Sequence, residues 1–415
     1  MSEKHNEPSD NDHKKLGREL DLFYIDETVG KGLPMLTPKG ATIRRELERF
    51  IVDEEIRRGY SHVYTPDIAK LELYIKSGHY PHYKDSMYAP IEIDDEKFML
   101  RPMTCPHHFQ LYLSKPHSYR DLPIRFAEVA QLYRYEQSGE LMGLQRARTF
   151  SLADAHIICK SEEEAMDEIG KALDLIEYVS GIFGFEYGKE YHYRLSMGDR
   201  DNTEKYVKND AAWEKGEDLL RNLLKKRGAE FVEAKNEAAF YGPKIDIQMK
   251  NVNGKEDTAF TVQYDFHFPV QFNLTYIGED GKEHLAFVVH RSSIGAIERI
   301  MAFLIEHYAG AFPTWLSPTQ VIVIPISDKH IDYADMVFET LKKSNIRAEL
   351  DSTNESLGKK IRNAKTSKTP YSLVIGDKEV ESNTVTVESR DKGQLGAQKI
   401  EEFLSSIQTE IRDKK

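Results

Sequence analysis

Residues 146–157 read R-A-R-T-F-S-L-A-D-A-H-I, and few folds accommodate such a segment. As a strand it sends alternate side chains to opposite faces. One face then carries Arg146, Arg148, Phe150, Leu152, Asp154 and His156. The other carries Ala147, Thr149, Ser151, Ala153, Ala155 and Ile157. The small face has to pack closely against another layer. The large face presents cations, an aromatic ring, a carboxylate and an imidazole in one row, whereas a merely solvated face gives mixed charges without such grading. Upstream, 124–136 reads as a second strand with Arg134 and Glu136 on one face. The two-glycine stretch 137–144 joins the pair into a long-looped antiparallel hairpin. Arg134 and Arg146 can converge on an anion through their planar donor forks. They can equally form cross-strand ion pairs with Glu128 and Glu136.

The chain around this hairpin is long enough for two domains at 415 residues. The first fifteen residues, polar and charged, predict a loosely held lead with no secretory signal. Ile43, Leu47, Phe50 and Ile51 mark one face of a helix that Gly59 ends. A short strand over 62–64 stops at Pro66, and 106–113, 162–183 and 294–309 carry helical patterns. From 321 the order is strand, helix, strand, helix, strand, strand, helix (321–326, 333–343, 347–350, 357–365, 372–375, 384–388, 398–411), which predicts a compact α/β domain. The net charge of −12 argues against a uniformly basic nucleic-acid binder. One basic stripe, over 356–370 with Lys359, Lys360, Arg362, Lys365 and Lys368, is either a solvated helix face or a phosphate contact. Two cysteines, Cys105 and Cys159, suit a reducing compartment. No apolar run approaches the ~20 residues of a membrane helix.

The usual nucleotide loops are absent: there is no G-x-x-x-x-G-K-[ST], and no G-x-G-x-x-G follows a strand. An ATP site here would have to be built from side chains on a sheet. Other candidates are lone residues with ordinary structural readings. Cys105 can be a small buried hydrophobe. His156 and His290 sit at or near strand ends, and no local spacing marks a metal. Gly295 and Arg299, four apart, share a face if the segment is helical, leaving room for a ligand beside the guanidinium. Lys244, Asp246 and Gln248, and then Thr261, Gln263 and Asp265, make polar strand faces that are either solvated or part of a site.

Tyr133-Arg134-Tyr135-Glu136, the strand-to-helix segment 290–299, and the helix and strand ending at Pro66 resemble motifs 2, 3 and 1 of the class II aminoacyl-tRNA synthetases. Ser77-Gly78-His79-Tyr80, Arg101-Pro102-Met103-Thr104-Cys105-Pro106, Asp154-Ala155-His156, Ala239-Phe240-Tyr241-Gly242-Pro243-Lys244 and Phe312-Pro313-Thr314-Trp315-Leu316 narrow the resemblance to the threonine-specific family. Thr369-Pro370-Tyr371 and 376–381 extend it to the end of the chain.

The resemblance implies an α+β protein. An antiparallel-sheet class II catalytic domain would span 16–316, after a flexible lead at 1–15, and an α/β anticodon-binding domain would span 317–415. It implies a threonine–tRNA ligase that uses ATP with Mg²⁺ to make threonyl-adenylate from L-threonine, then charges the 3′ end of threonine tRNA. Cys105, His156 and His290 would hold Zn²⁺ with one position open for substrate. Asp154, Tyr241, Met103 and Gln263 would bind threonine. Arg134, Glu136, Arg146, Phe150, Gln263 and Arg299 would bind ATP. Arg134, Arg299, Lys244 and His79 would be catalytic, His79 assisting transfer to the tRNA ribose. Asn354, Lys368 and Glu379 would touch the anticodon. A cytoplasmic homodimer, without a membrane anchor and without the N-terminal editing region of longer relatives, is also implied. The chain departs from the family at Leu152 and Ala153, where Gln and Asp are usual, and at Glu388, where a base is common and where Arg390 on the same strand face could compensate. These departures leave open a paralogue with another acceptor or an accessory role.

Overall fold

The computed structural model describes residues 9–415, which fall into two compact units. One comprises 25–34 and 48–302; the other comprises, of the described residues, 9–24, 35–47 and 303–415. The expected boundary at 316 is displaced because 312–316 packs on the C-terminal helix Ile400–Arg412. The Thr314 hydroxyl donates to Glu410, and Arg347 Nη2 donates to the Trp315 carbonyl at 2.7 Å. The expected lead at 1–15 lies outside the described residues for its first eight. From Asp12 it is ordered: Asp12 caps the helix His13–Glu19, and His13 Nδ1 lies 2.6 Å from Glu306 Oε1.

The larger unit is organised on eight strands: β1 (Ser61–His62), β2 (Ile124–Tyr133), β3 (Thr149–Cys159), β4 (Tyr191–Met197), β5 (Phe231–Lys235), β6 (Lys244–Lys250), β7 (Glu256–Asp265) and β8 (Phe287–Ala296). Their order across the sheet is β5-β4-β6-β7-β8-β3-β2-β1. The inner pairs are antiparallel, and only the outermost pairs β4–β5 and β1–β2 are parallel. The small face expected of β3 is real: Ser151, Ala153, Ala155 and Ile157 are buried, and the helix Glu162–Ile182 covers that layer. The hairpin is shorter than its pattern suggested. β2 ends at Tyr133 and β3 begins at Thr149, so Arg134 and Arg146 sit in the connecting loop rather than on strands.

The segment after β8 also differs from expectation. Gly295 belongs to the strand, and the helix begins only at Ile297. Gly295 has φ +69°, and a Cβ there would lie 2.1 Å from the Ala259 carbonyl oxygen on β7. The glycine is demanded by this close crossing of backbones.

Behind the sheet, Arg291 and Glu55 form a buried pair at 2.5 Å, with Ser293 donating to the same carboxylate oxygen at 2.8 Å. Removing one partner of such a pair strands a charge. Glu55→Ala is therefore expected to lower unfolding free energy by about 3–5 kcal/mol, read by urea denaturation.

The second unit carries β9 (Val321–Pro325), β10 (Ala348–Leu350), β11 (Tyr371–Ile375), β12 (Val385–Ser389) and β13 (Gly393–Gln398), ordered β10-β9-β11-β12-β13. The first three strands are parallel and the last two antiparallel additions. β13 was not expected, because its glycine-containing, largely exposed sequence offers no apolar alternation.

Candidate active site

Sheet register brings the functional side chains into rows. Lys244 on β6 faces Gln263 on β7, which faces His290 on β8, which faces His156 on β3. Two residues along, Asp246, Thr261, Ser292, Asp154 and Glu128 form a parallel row. Paired residues share a face, so both rows point the same way. Lys244, Gln263, His290, His156, Thr261, Ser292 and Asp154 from these rows floor a cavity of about 660 Å³ whose walls include Met103, Arg134, Phe150, Tyr241 and Arg299.

Three candidate ligands converge here. Cys105 comes from the first turn of the helix Cys105–Leu113, and His156 and His290 come from adjacent strands. One donor atom from each lies within 4.8 Å of the others, and all three residues are buried. Each imidazole has its second nitrogen engaged. His290 Nε2 is 2.8 Å from Asp265 Oδ2, and His156 Nδ1 is 2.8 Å from His108 Nδ1. Asp265 is itself held by the backbone N–H groups of His267 and Phe268. Burial pushes the Cys105 thiol well above its ordinary range and pulls His156 well below its own. A divalent cation would offset the first and matches the second, since it binds thiolate and neutral imidazole. One sulfur and two nitrogens with oriented outer partners suit zinc with a position left open.

Asp154 lies beside this set, 4.0 Å from His156 Nε2, and burial raises its carboxyl above the usual range. Tyr241 stacks on His290 with centroids 4.8 Å apart, and its hydroxyl donates to Gln263. Lys244 donates to Asp246 at 2.6 Å. Asp246 also accepts from Ser196, Thr261 and Arg194, and Lys244, with Ser196 and Arg194, holds its carboxyl below the usual range despite burial.

The two readings of the arginines now separate. Arg146 pairs with Glu136 at 2.9 Å. Among the described residues neither Arg134 nor Arg299 has a carboxylate within ion-pair distance. Arg134 reaches the Pro102 carbonyl and Met103 sulfur and lies over the Phe150 ring at 5.1 Å. Arg299 donates to the Gln145 and Thr258 carbonyls at 3.0 and 2.7 Å. Burial lowers both guanidinium pKa values. Arg148, expected on the same row, turns away to the Tyr135 ring and the Glu136 carbonyl.

His79 is kept out of the cavity. It is fully buried, with Nδ1 2.7 Å from Ser77 Oγ and Nε2 3.6 Å from Cys105 Sγ. Burial depresses its pKa to about 3. In this structure its ring packs beside the Cys105 sulfur. The sequence pattern did not single out His108 or the orienting use of Glu128, and it left Asp265 between a solvated face and a site face. The period-two placement of Glu128 opposite Asp154 was the available signal.

In the second unit, Asn354 and Glu379 follow the C-terminal ends of parallel strands β10 and β11, whereas Lys368 precedes the start of β11. The three are not brought together. Lys368 donates to the Ala309 carbonyl, and Glu379 accepts from Gly376 N–H and the Thr386 hydroxyl. The basic stripe is thinned in the same way. Lys360 is buried and donates to the Pro325 and Asp351 carbonyls, while Lys359 and Lys365 pair with Glu355 and Glu388. Arg390 lies beyond β12 and is spent on Asp391 and the Lys368 carbonyl, so it does not stand in for Glu388.

Comparison with known proteins points the same way. Residues 88–308 match the family described as tRNA synthetase class II core domain (G, H, P, S and T), and 320–410 match the anticodon binding domain family. The chain is 49% identical over 407 residues to a protein named threonine–tRNA ligase from Geobacillus sp. (strain WCH70), and 50% identical over 405 residues to one from Clostridium perfringens (strain SM101 / Type A). Those matches cover 98% and 97% of this chain. The chain spans 63% and 62% of the length of these two relatives. The crystal structure titled as the RNA binding domain of threonyl-tRNA synthetase from Cryptosporidium parvum Iowa II superposes with a TM-score of 0.90 at 34% identity, covering 96% of this chain and 98% of that one.

Proposed function

This chain belongs to the class II aminoacyl-tRNA synthetases, in their threonyl-tRNA synthetase branch, and from that premise we propose that it is a threonine–tRNA ligase. It activates L-threonine with ATP and passes the threonyl group to the 3′ end of threonine tRNA. The observation that supports this most is the meeting, in one cavity, of a Cys/His/His donor set with two guanidiniums lacking carboxylate partners.

Cys105, His156 and His290 would hold Zn²⁺, which would supply a Lewis-acid site for recognising the amino group and β-hydroxyl of threonine. Asp154 accepts a hydrogen bond from that hydroxyl, which offsets the burial that raises its pKa. Tyr241 and Gln263 close the amino end, and Met103 walls the side-chain slot. Phe150 offers a face for adenine. Arg134 and Arg299, with Mg²⁺ on the nucleotide, grip the phosphates, while Arg146 and Glu136 buttress them. A threonine carboxylate oxygen attacks the α-phosphorus, and the bond to pyrophosphate breaks. Lys244 balances charge at the adenylate. In the second step a terminal ribose hydroxyl attacks the carbonyl carbon and AMP leaves. Positioning and fixed charge do most of this work.

The test is metal analysis combined with threonine-dependent ATP–pyrophosphate exchange. Wild type is expected to carry about one zinc per chain, and Cys105→Ser to lose both metal and exchange. A wild-type protein that exchanges without zinc would overturn the reading. Charging of threonine tRNA, run beside exchange, separates the ligase from a paralogue with another acceptor.

The proposal extends to a cytoplasmic homodimer with a tRNA-reading C-terminal domain in which Asn354 and Glu379 contact the anticodon. Both cysteines are free, in keeping with a reducing compartment, and no described helix is long and apolar enough to cross a membrane. β1 is an edge strand, and Tyr64 just beyond it is 95% exposed. Such an edge is a ready surface for a second copy. Tyr64→Asp is expected to shift the protein to monomer in sedimentation velocity.

A further inference from the structure

We propose that His108 is a positioning residue that holds His156 in a single ligand-competent tautomer, through a hydrogen-bonded chain running Glu128–His108–His156. The inference rests on the zinc reading above and deepens it.

The chain can be followed donor by donor. Glu128 Oε1 accepts from Arg101 Nη1 at 3.1 Å and Thr65 N–H at 3.2 Å. Its Oε2 accepts from Thr65 Oγ at 2.7 Å and lies 3.3 Å from His108 Nε2. An ionised carboxylate only accepts, so the His108 proton sits on Nε2 and its Nδ1 presents a lone pair. His156 Nδ1 lies 2.8 Å from that lone pair. It therefore carries the proton and donates it. His156 Nε2 is left as a bare lone pair on the side of Asp154, where the other two donors gather.

The geometry explains why an intermediary is needed. His290 meets its carboxylate, Asp265, directly. Glu128 stands opposite Asp154, two residues out of step with His156, and His108 bridges that offset. His108 and Cys105 are three apart on one helix, hence on one face. A single helical turn thus delivers one ligand and the group that orients a second. His108 is fully buried and outside the cavity lining, so it acts only through His156. The far end of the chain, Thr65, adjoins Tyr64 on the exposed edge.

Glu128→Gln is the discriminating variant. Its amide oxygen can stay with Arg101 and Thr65, and its NH₂ then faces His108. His108 must accept at Nε2 and protonate Nδ1, which forces His156 to turn its N–H toward the metal. Zinc affinity, measured by chelator competition, is expected to fall about 10–100-fold. The visible spectrum of the cobalt-substituted protein should change, which a loss of folding stability from the buried Arg101–Glu128 pair would not by itself produce. His108→Gln keeps one acceptor and one donor and is expected to hold zinc better than His108→Leu. If Glu128→Gln proves unfolded, that ordering decides the matter. Wild-type affinity and spectrum in Glu128→Gln, or equal affinity in the two His108 variants, would overturn the inference. A wild type that takes no zinc would instead sink the zinc reading itself.

Discussion

Valine is expected to be activated at least ~10⁴-fold less efficiently than threonine, and serine only about 10–200-fold less, in kcat/KM from pyrophosphate exchange. The asymmetry follows from what each side chain leaves unmet. Valine has the shape of threonine with a methyl in place of the hydroxyl. It would leave the buried Asp154 carboxylate without the substrate hydroxyl as donor, and the metal position without its oxygen. A site built to hydrogen-bond a hydroxyl rejects the analogue lacking it far more strongly than a hydrophobic slot rejects a missing methylene. Serine retains the hydroxyl and forfeits only the contacts of one methyl group against the slot wall. Discrimination against valine should also collapse when zinc is removed by chelation, whereas a slot working by shape alone would keep it. Valine activated within tenfold of serine would exclude this pocket chemistry.

Replacing either unpaired arginine is expected to cost about 10²–10³ in kcat, with zinc content and melting temperature unchanged. The reason lies in how the guanidiniums are held. Arg299 uses two donors on the Gln145 and Thr258 carbonyls, which fixes its plane and leaves the remaining donors of a five-donor fork free. Arg134 is fixed by the Pro102 carbonyl and the Phe150 ring. Both are charges placed before substrate arrives, so they lose little on reorganisation as negative charge builds on the phosphates. Lysine is not expected to rescue Arg299, because an ammonium cannot hold two carbonyls and a phosphate in one plane. An effect confined to KM, with kcat within threefold, would move these residues from transition-state stabilisation to simple binding.

Much of the site was legible along the chain. Period-two alternation put Phe150, Leu152, Asp154 and His156 on one face of β3, and all four line the cavity. The 3.6-residue period located the helices over 38–57, 162–182 and 331–343 within a few residues. Where the reading slipped, a local pattern yielded to a non-local contact. The Gly295–Arg299 face dissolved because β8 extends to Ala296 and crosses the Ala259 carbonyl. Lys360, read as part of an exposed stripe, went inside to satisfy carbonyls at the end of β9 and beyond β10. Lys368 was separated from Asn354 and Glu379 because the parallel strands place them at opposite ends.

By itself, then, the sequence determined which residue types would share a strand or helix face, since side-chain direction follows from backbone periodicity alone. It also determined, by the absence of a phosphate loop, that any nucleotide would be met by side chains. Only the tertiary structure decided partnership. Whether Arg146 or Arg134 kept its charge free depended on Glu136 lying 2.9 Å from one and not the other. Whether His79 faced substrate or sulfur depended on how 77–83 folds over the helix at Cys105. Such choices turn on distances of a few ångströms between residues remote in the chain, and at that range Coulomb and hydrogen-bond energies change by more than any local propensity can.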